Sequence, residues 1–436
     1  MYQIKQEKVI NIVGEYDVVV AGGGPSGFIA AIAASREGAK TALIERYAFL
    51  GGMATASYVT PISVFSYNGE RNIGGIPWEF VERLEKAGGA LVEQPLNNVA
   101  FDPELYKLIA EEMVREAGVD LYMSSYISGL KTDEHNRVEE VYFENKNGTE
   151  GVRGKVFIDA TGDADLCAMA GVPLRKYDGP MQPSSMCFIL SGVDTKSPLL
   201  KDVIHHSRQG VNCQSEKVRE KLLELSKTMD VPNFGGPWFC TVLHEGSVAV
   251  NMTRIGTDAC NNRDFASANF SLRKDVFRFV QILRENFDEF KDAYVSATPA
   301  QAGIRESRHI IGVHTITAEE YLNAYKYEDS VSRSSHPIDI HAPNGESQRC
   351  SFLKKAAYVP YRALINSDYP NLMVAGRTLS AEKEAFASLR VQASCMGIGQ
   401  AAGVASALSS MTGFKLQDID YSILVNKLKK MGAILE

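Results

Sequence analysis

No CxxC pair occurs in this chain; its seven cysteines (Cys167, Cys187, Cys213, Cys240, Cys260, Cys350 and Cys395) are scattered. That spacing excludes a structural zinc ribbon and a dithiol redox centre, and an odd, dispersed set fits reduced thiols in a cytosol. No run of about 18 apolar residues escapes polar interruption, so no membrane span is expected. Basic excess is missing as well. With 46 Lys and Arg against 53 Asp and Glu the formal net charge is −7, the wrong sign for a nucleic-acid partner. Residues Met1 to Asn11 have no apolar core followed by a small-residue cleavage site, which argues against a secretory signal and for the cytoplasm. The histidine pairs His205/His206, His309/His314 and His336/His341 lack i,i+4 spacing and acidic company, so no metal is expected. Neither a Cys–His nor a Ser–His–Asp arrangement is legible, and there are no repeats or low-complexity tracts.

Apolar residues are plentiful. At 45% of the chain, with 23% charged, they suffice to offset the ordering entropy of two to three domains' worth of core. The 36 glycines cluster, at Gly22-Gly23-Gly24, Gly51-Gly52, Gly74-Gly75, Gly88-Gly89 and Gly235-Gly236, which points to close backbone approaches rather than linkers.

Tyr16 to Ala21 is an apolar, β-branched run suited to a buried parallel strand, followed by a small-residue helix from Phe28 to Arg36. Lys40 to Glu45 reads as the second strand of a β-α-β unit. Asp102 is an N-cap for a helix with Pro103 in its first turn and Leu105, Leu108, Ile109 and Met113 on one face. Val119 to Met123 alternates as a strand. Asn147-Gly148 predicts a hairpin turn between runs ending in Phe143 and in Asp159. Beyond Tyr177, strands are expected over 185–190, 239–243 and 247–252, and a helix carrying Leu272, Val276, Phe279, Leu283 and Phe287 on one stripe. Residues 323 to 355 read as a long, irregular, polar loop. Asn371 to Ala375 is a further strand, followed by a small-residue helix through Gly397 to Leu408.

Gly22-x-Gly24-x-x-Gly27 lies between the first strand and helix. Its first glycine allows a tight turn, its second admits a pyrophosphate, and its third lets the helix lie close to the strand. Pro25 and Ser26 complete the turn, and the helix N-terminus then presents unpaired N–H groups to phosphates. Glu45 closes the second strand where a carboxylate accepts from both ribose hydroxyls, and Arg46, an exposed charge beside it, is counted with it among the cofactor-binding residues. Four later features select FAD among adenine dinucleotides. Gly51-Gly52 with Thr55 follows the second strand, and Ala160-Thr161-Gly162-Asp163 ends the hairpin. Leu372 to Arg377 brings a distant strand back with Gly376 at its tip. Met396-Gly397 reads as the start of a helix whose N-terminus faces the flavin pyrimidine edge. Ile127 is included with the cofactor-binding residues.

The sequence resembles the FAD-dependent oxidoreductases of the glutathione-reductase structural type, and most closely a bacterial subgroup related in fold to fumarate-reductase-like flavoproteins. The resemblance spans most of the chain: the GGGxxG unit, Gly51 to Thr55, Ala160 to Asp163, Gly303 to Arg308, Val359 to Leu364 and Asn371 to Ala402. It implies an α/β fold, a Rossmann-like FAD-binding domain split in sequence with an inserted α+β substrate domain. The expected halves are 1–175 and 351–436, around a substrate domain over 176–350 that returns to the FAD domain near 297–312. Two departures stand out. Arg377 occupies a position where many relatives carry an acid, and no second GxGxxG marks a dedicated NAD(P)H domain.

Arg305, Arg308, Arg362, Arg377 and Arg390 lie in the segments expected near the flavin, and guanidinium forks suit carboxylates. The expected substrate is therefore a small, anionic, carboxylate-bearing molecule. Arg305 and Arg390 are taken as its anchors, with His336 or His341, in the polar loop, for proton transfer. The expected activity is hydride exchange between the substrate and FAD N5. An FAD-dependent monooxygenase or oxidase is the alternative, and a non-catalytic electron-relay or dinucleotide-binding subunit is another. A homo-oligomer is compatible with all of these.

Overall fold

The computed structural model describes residues 4–5, 7–95, 97–178, 181–200, 215–342 and 348–436; Cys213, His205 and His206 lie outside the described residues. The first part contains β1 (Asn11–Ala21), α1 (Pro25–Arg36), β2 (Thr41–Ile44), α2 (Pro103–Glu116), β3 (Asp120–Tyr122), β4 (Tyr126–Thr132), β5 (Val138–Asn145) and β6 (Gly148–Asp159). The middle holds β7 (Phe188–Ser191), β8 (Phe234–Thr241), β9 (Ser247–Thr253), α3 (Asn262–Asn286) and β10 (Tyr294–Ala297). The last part holds β11 (Ser330–Ser334), β12 (Ile338–His341), β13 (Gln348–Ser351), β14 (Ala357–Pro360), β15 (Leu372–Val374), α4 (Lys383–Leu389) and α5 (Gln392–Thr412). Among the described residues, no helix is long and apolar enough to cross a membrane.

A seven-stranded sheet runs β3-β2-β1-β6-β5-β4, with β15 also paired to β6. β1 has a parallel neighbour on each edge, with Val18 opposite both Thr41 and Val156. Burial on both faces explains its unbroken run Val18-Val19-Val20-Ala21. β6 changes partner along its length. Its beginning pairs antiparallel with β5 across the Asn147 hairpin, and Phe157 to Asp159 pair in parallel with β15. Asn371 fixes this junction, its side chain bonding the Val138 N–H and the carbonyls of Val138 and Lys155. A strand from the far end of the chain thus completes the sheet begun at β1.

α1 is apolar on all sides because it lies between this sheet and α5, with Ala30, Ala31, Ala33 and Ala34 fully buried. The helices touch backbone to backbone: a Cβ on Gly399 would lie 2.2 Å from the Ser26 carbonyl oxygen, and one on Gly403 2.2 Å from that of Ala30. α2 is capped by Asp102, whose carboxylate accepts from the N–H groups of Glu104 and Leu105. Its buried face is Tyr106, Ile109, Ala110 and Met113, while Leu108, expected there, is 51% exposed.

A four-stranded antiparallel sheet, β8-β9-β7-β10, carries a second core, on which α3 lays Leu272, Val276, Phe279 and Leu283. That core runs from Met186 to Ala302. Further on, Ile316, Val331, Ile338, Val359 and Leu364 pack into the first core. Residues 323–355 are not the irregular loop expected. β11 pairs with β14 and β12 with β13. β11 escapes an apolar-alternation reading because serines stand at its buried positions, where Ser334 bonds Tyr321 at 2.9 Å and Ser394 at 2.8 Å.

Candidate active site

A groove of about 1010 Å³, counting space open to solvent, runs along the ends of β1, β2 and β6. This is where ligands bind in open parallel sheets, outside the carboxyl ends of the strands. Its floor is the Gly22–Gly27 turn. Gly22 has φ +95°, and a Cβ there would lie 2.6 Å from the Ala160 carbonyl oxygen, so the turn and the end of β6 are in backbone contact. α1 begins at Pro25 with Gly24 as N-cap and no side-chain cap, leaving its first-turn N–H groups directed at the groove. Opposite, a Cβ on Gly52 would approach the Gly24 Cα to 2.8 Å. The two glycine loops therefore touch backbone to backbone, and both line the groove.

Glu45 stands at the end of β2, 4% exposed, accepting from the Gly23 N–H at 2.6 Å and the Tyr47 N–H at 2.8 Å. Burial pushes its pKa up, against those two donors. Arg46, expected to be exposed, lies in the groove wall instead. It donates to Gln301 at 3.1 Å and stacks over the Tyr47 ring, and Gln301 also bonds Tyr47.

Of the residues predicted from sequence, Gly22, Gly24, Pro25, Ser26, Glu45, Arg46, Gly52, Ile127, Ala160, Thr161, Gly162, Arg377 and Arg390 line the groove. Gly27, Gly51, Thr55, Asp163 and Gly376 stand behind the wall and shape it. The Thr55 hydroxyl caps the Leu50 carbonyl at 2.7 Å, and a Cβ on Gly376 would strike the Ser26 hydroxyl at 2.5 Å. Arg377 is paired with Asp163 at 2.7 Å and donates to the Gly162 carbonyl at 2.9 Å, fixing the loop after β6. Met396 and Gly397 do not start a helix. α5 begins at Gln392 behind the N-cap Val391, so both residues lie in its second turn, Met396 in the core and Gly397 against Ser332. Val391 is no sequence signal for a helix start, which explains the displacement. The groove-lining residues at this end are Gln392 and Cys395, and neither they nor Tyr47, Met53 and Asp165 were singled out by motif. Asp165 has its pKa raised to about 6, by burial and by Asp163 and Asp159, with Arg308 opposing.

The five arginines separate. Arg362 forms a two-point pair with the buried Asp329, and Arg308 bonds Asp165, so both have structural partners. Arg390 caps α4 and lines the groove, with its Nη2 4.0 Å from Asp339. Its Nε and the Gln392 Oε1 are buried without a partner among the described residues. Arg305 lies away from the groove, donating to the Pro183 carbonyl at 2.6 Å and the Ser185 hydroxyl at 2.7 Å. His341 is on β12 rather than in a loop, its Nε2 3.0 Å from Asp339. Burial and the neighbouring Arg305 push its pKa down to about 3. His336 sits with Nδ1 2.8 Å from the Pro337 carbonyl, and neither histidine lines the groove. Among the described residues no cluster of His, Cys, Asp and Glu could hold a metal.

These residues fit FAD: two backbone loops open to phosphates, a buried carboxylate at the ribose position, and unpartnered donor and acceptor atoms at the far end. Residues 17–429 match the family model described as FAD dependent oxidoreductase. Among curated proteins, digeranylgeranylglycerophospholipid reductase 1 of Methanococcoides burtonii is 27% identical over 206 residues, 41% of this chain and 46% of that protein. A dihydrolipoyl dehydrogenase of Acholeplasma laidlawii is 29% identical over 121 residues, 25% of this chain and 32% of that protein. The chain thus spans less than half the length of either. A solved geranylgeranyl bacteriochlorophyll reductase-like protein of Thermoplasma acidophilum aligns over 96% of this chain and 83% of its own, with 15% identity and a TM-score of 0.45. For p-nitrophenol 4-monooxygenase of Pseudomonas putida the figures are 95%, 84%, 10% and 0.46.

Proposed function

Because the chain belongs to the FAD dependent oxidoreductase family, with FAD as its cofactor, we propose that it exchanges a hydride between FAD and a small anionic organic substrate. The observation that carries this reading is Arg390, a part-buried arginine on the groove wall whose buried Nε has no partner among the described residues. A cation there orients an anionic substrate at one end of the cofactor groove. We read the architecture as the glutathione-reductase type, with 1–175 and the chain from Ile316 onward, earlier than the expected 351, forming one FAD domain and the second core, Met186 to Ala302, forming the substrate domain.

In this reading the Gly22–Gly27 turn and the start of α1 hold the pyrophosphate, and Glu45 holds the ribose. Gly52, Thr161 and Gly162 flank the chain between them, with Arg377 tied to Asp163 behind. Bound FAD supplies the hydride acceptor or donor at N5. The N-terminus of α5, at Gln392 rather than Met396, favours negative charge at the adjoining edge by about 0.3–1 kcal/mol. Arg390 and Arg305 anchor the substrate anion. Neither His336 nor His341 lines the groove, and the lowered pKa of His341 makes it a weak base near pH 7, so no proton acceptor is assigned to either.

Anaerobic photoreduction followed by mixing with oxygenated buffer tests the reaction class. Slow reoxidation of the flavin is expected for hydride exchange with an organic substrate. Reoxidation complete on mixing would overturn that reading in favour of an oxidase or monooxygenase.

A further inference from the structure

Arg254, which directly follows β9, is among the largest fully buried side chains of the described residues, 1% exposed. Its Nη1 donates to the Ser185 hydroxyl at 2.5 Å, the Asn251 side-chain oxygen at 2.9 Å and the Thr253 carbonyl at 2.7 Å. Its Nε and Nη2 have no partner among the described residues. Those two nitrogens form the edge of a guanidinium that presents two parallel N–H groups, the edge that meets a carboxylate at two points. Only glycine fits beside that edge at 235, since a Cβ there would strike it, 2.7 Å from Nε and 2.8 Å from Nη2. Trp238 covers the guanidinium, its ring centroid 5.1 Å away, and also meets His341 edge to face.

Arg254 is not alone. Arg305 donates to the same Ser185 hydroxyl, so two guanidiniums converge on one uncharged oxygen. Arg390 approaches Asp339, its Nη2 4.0 Å from a carboxylate whose oxygens already bond His341 and Gln348. The other buried acid nearby, Glu306, is engaged by Lys383 at 3.8 Å. Among the described residues no carboxylate pairs with Arg254 or Arg305. Guanidiniums stay protonated, and buried charge without a counter-charge is costly, so this cluster is complementary to an added anion.

We propose that Arg254, Arg305 and Arg390 form a receptor for a substrate carboxylate, with the Nε–Nη2 edge of Arg254 as its two-point contact and Gly235 as the residue that keeps it open. This rests on the anionic-substrate reading above and names its specificity-determining residues. The insert supplies Arg254, and the FAD-binding part supplies Arg390, so the site exists only where the two meet.

The test uses the FAD-loaded protein, with flavin content measured first, at constant ionic strength. Benzoate, malonate and inorganic phosphate are each titrated while the visible flavin band and the thermal midpoint are followed. At least one carboxylate should bind saturably and raise the midpoint. Arg254→Gln should weaken that binding at least tenfold with flavin content retained, Arg254→Lys should not restore it, and Gly235→Ala should weaken it as well. Binding of phosphate but neither carboxylate, binding of none of the three, or unchanged carboxylate binding in Gly235→Ala and Arg254→Gln would overturn the proposal. If Arg254→Gln does not fold, the wild-type titration and Gly235→Ala decide. Absence of flavin from the wild type would instead strike the cofactor reading, independently of this site.

Discussion

A methyl group on Gly27 would sit 1.8 Å from the carbonyl oxygen of Gly22, closer than any side-chain rearrangement can relieve. Gly27→Ala should therefore displace α1 from the turn, destabilise the protein by about 1–3 kcal/mol and lower flavin content on purification. Absorbance per chain measures the second effect. This glycine was legible from its spacing alone, because the constraint is local backbone geometry. Arg254 was not, since nothing within its own segment marks it and its significance comes from Ser185, Gly235 and Trp238, which the fold assembles. A second consequence at this scale concerns acid. His309 is 1% exposed between Tyr177 and Phe386, and burial pushes its pKa from 6.5 down to about 3. The unfolded chain thus takes up a proton that the folded chain refuses. The stability this contributes is complete above about pH 6.5 and is lost as pH falls towards 3, at about 1.4 kcal/mol per pH unit. His341 acts in the same direction. His309→Phe should make the decline below pH 6.5 shallower by about that slope, as read from denaturant midpoints over a pH series; an unchanged slope would show that His309 is not held neutral.

At the scale of elements, the contact of α1 with α5 positions the groove floor. Gly399→Ala places a Cβ 2.2 Å from the Ser26 carbonyl oxygen and should cost about 1–3 kcal/mol, moving the α1 N-terminus and weakening FAD. Gly256→Ala, with nothing within 4 Å of the added Cβ, should change stability by less than about 0.5 kcal/mol. Thermal unfolding of the two variants makes the comparison. β1, α1 and the β5–β6 hairpin were readable because their signals (an apolar run, a capping turn, Asn-Gly) are contiguous. The start of α5 was placed four residues late because Val391 offers no capping side chain. β11 does not read as a strand because buried serines, Ser334 among them with bonds to Tyr321 and Ser394, stand where apolar residues mark one.

At the scale of the whole molecule, the core from Met186 to Ala302 is separate from the one under the groove, and the sheet of the latter is closed by β15 from beyond the insert. The recurrence of a strand, a glycine and a small-residue helix near both ends of the chain made this split legible. The meeting of the insert with the groove was not, because it depends on Gln301 bonding Tyr47 and Arg46 and on Arg254 reaching Arg305 through Ser185. Ligand linkage gives the expected size of the cofactor's effect: FAD at a hundredfold excess over its dissociation constant should stabilise the fold by about 2.7 kcal/mol. The most direct measurement is the visible spectrum of the purified protein, followed by FAD titration of any cofactor-free fraction and of Glu45→Ala. The account predicts a flavin spectrum, saturation at one FAD per chain, and at least tenfold weaker binding in the variant. A colourless protein that FAD does not reconstitute would contradict it.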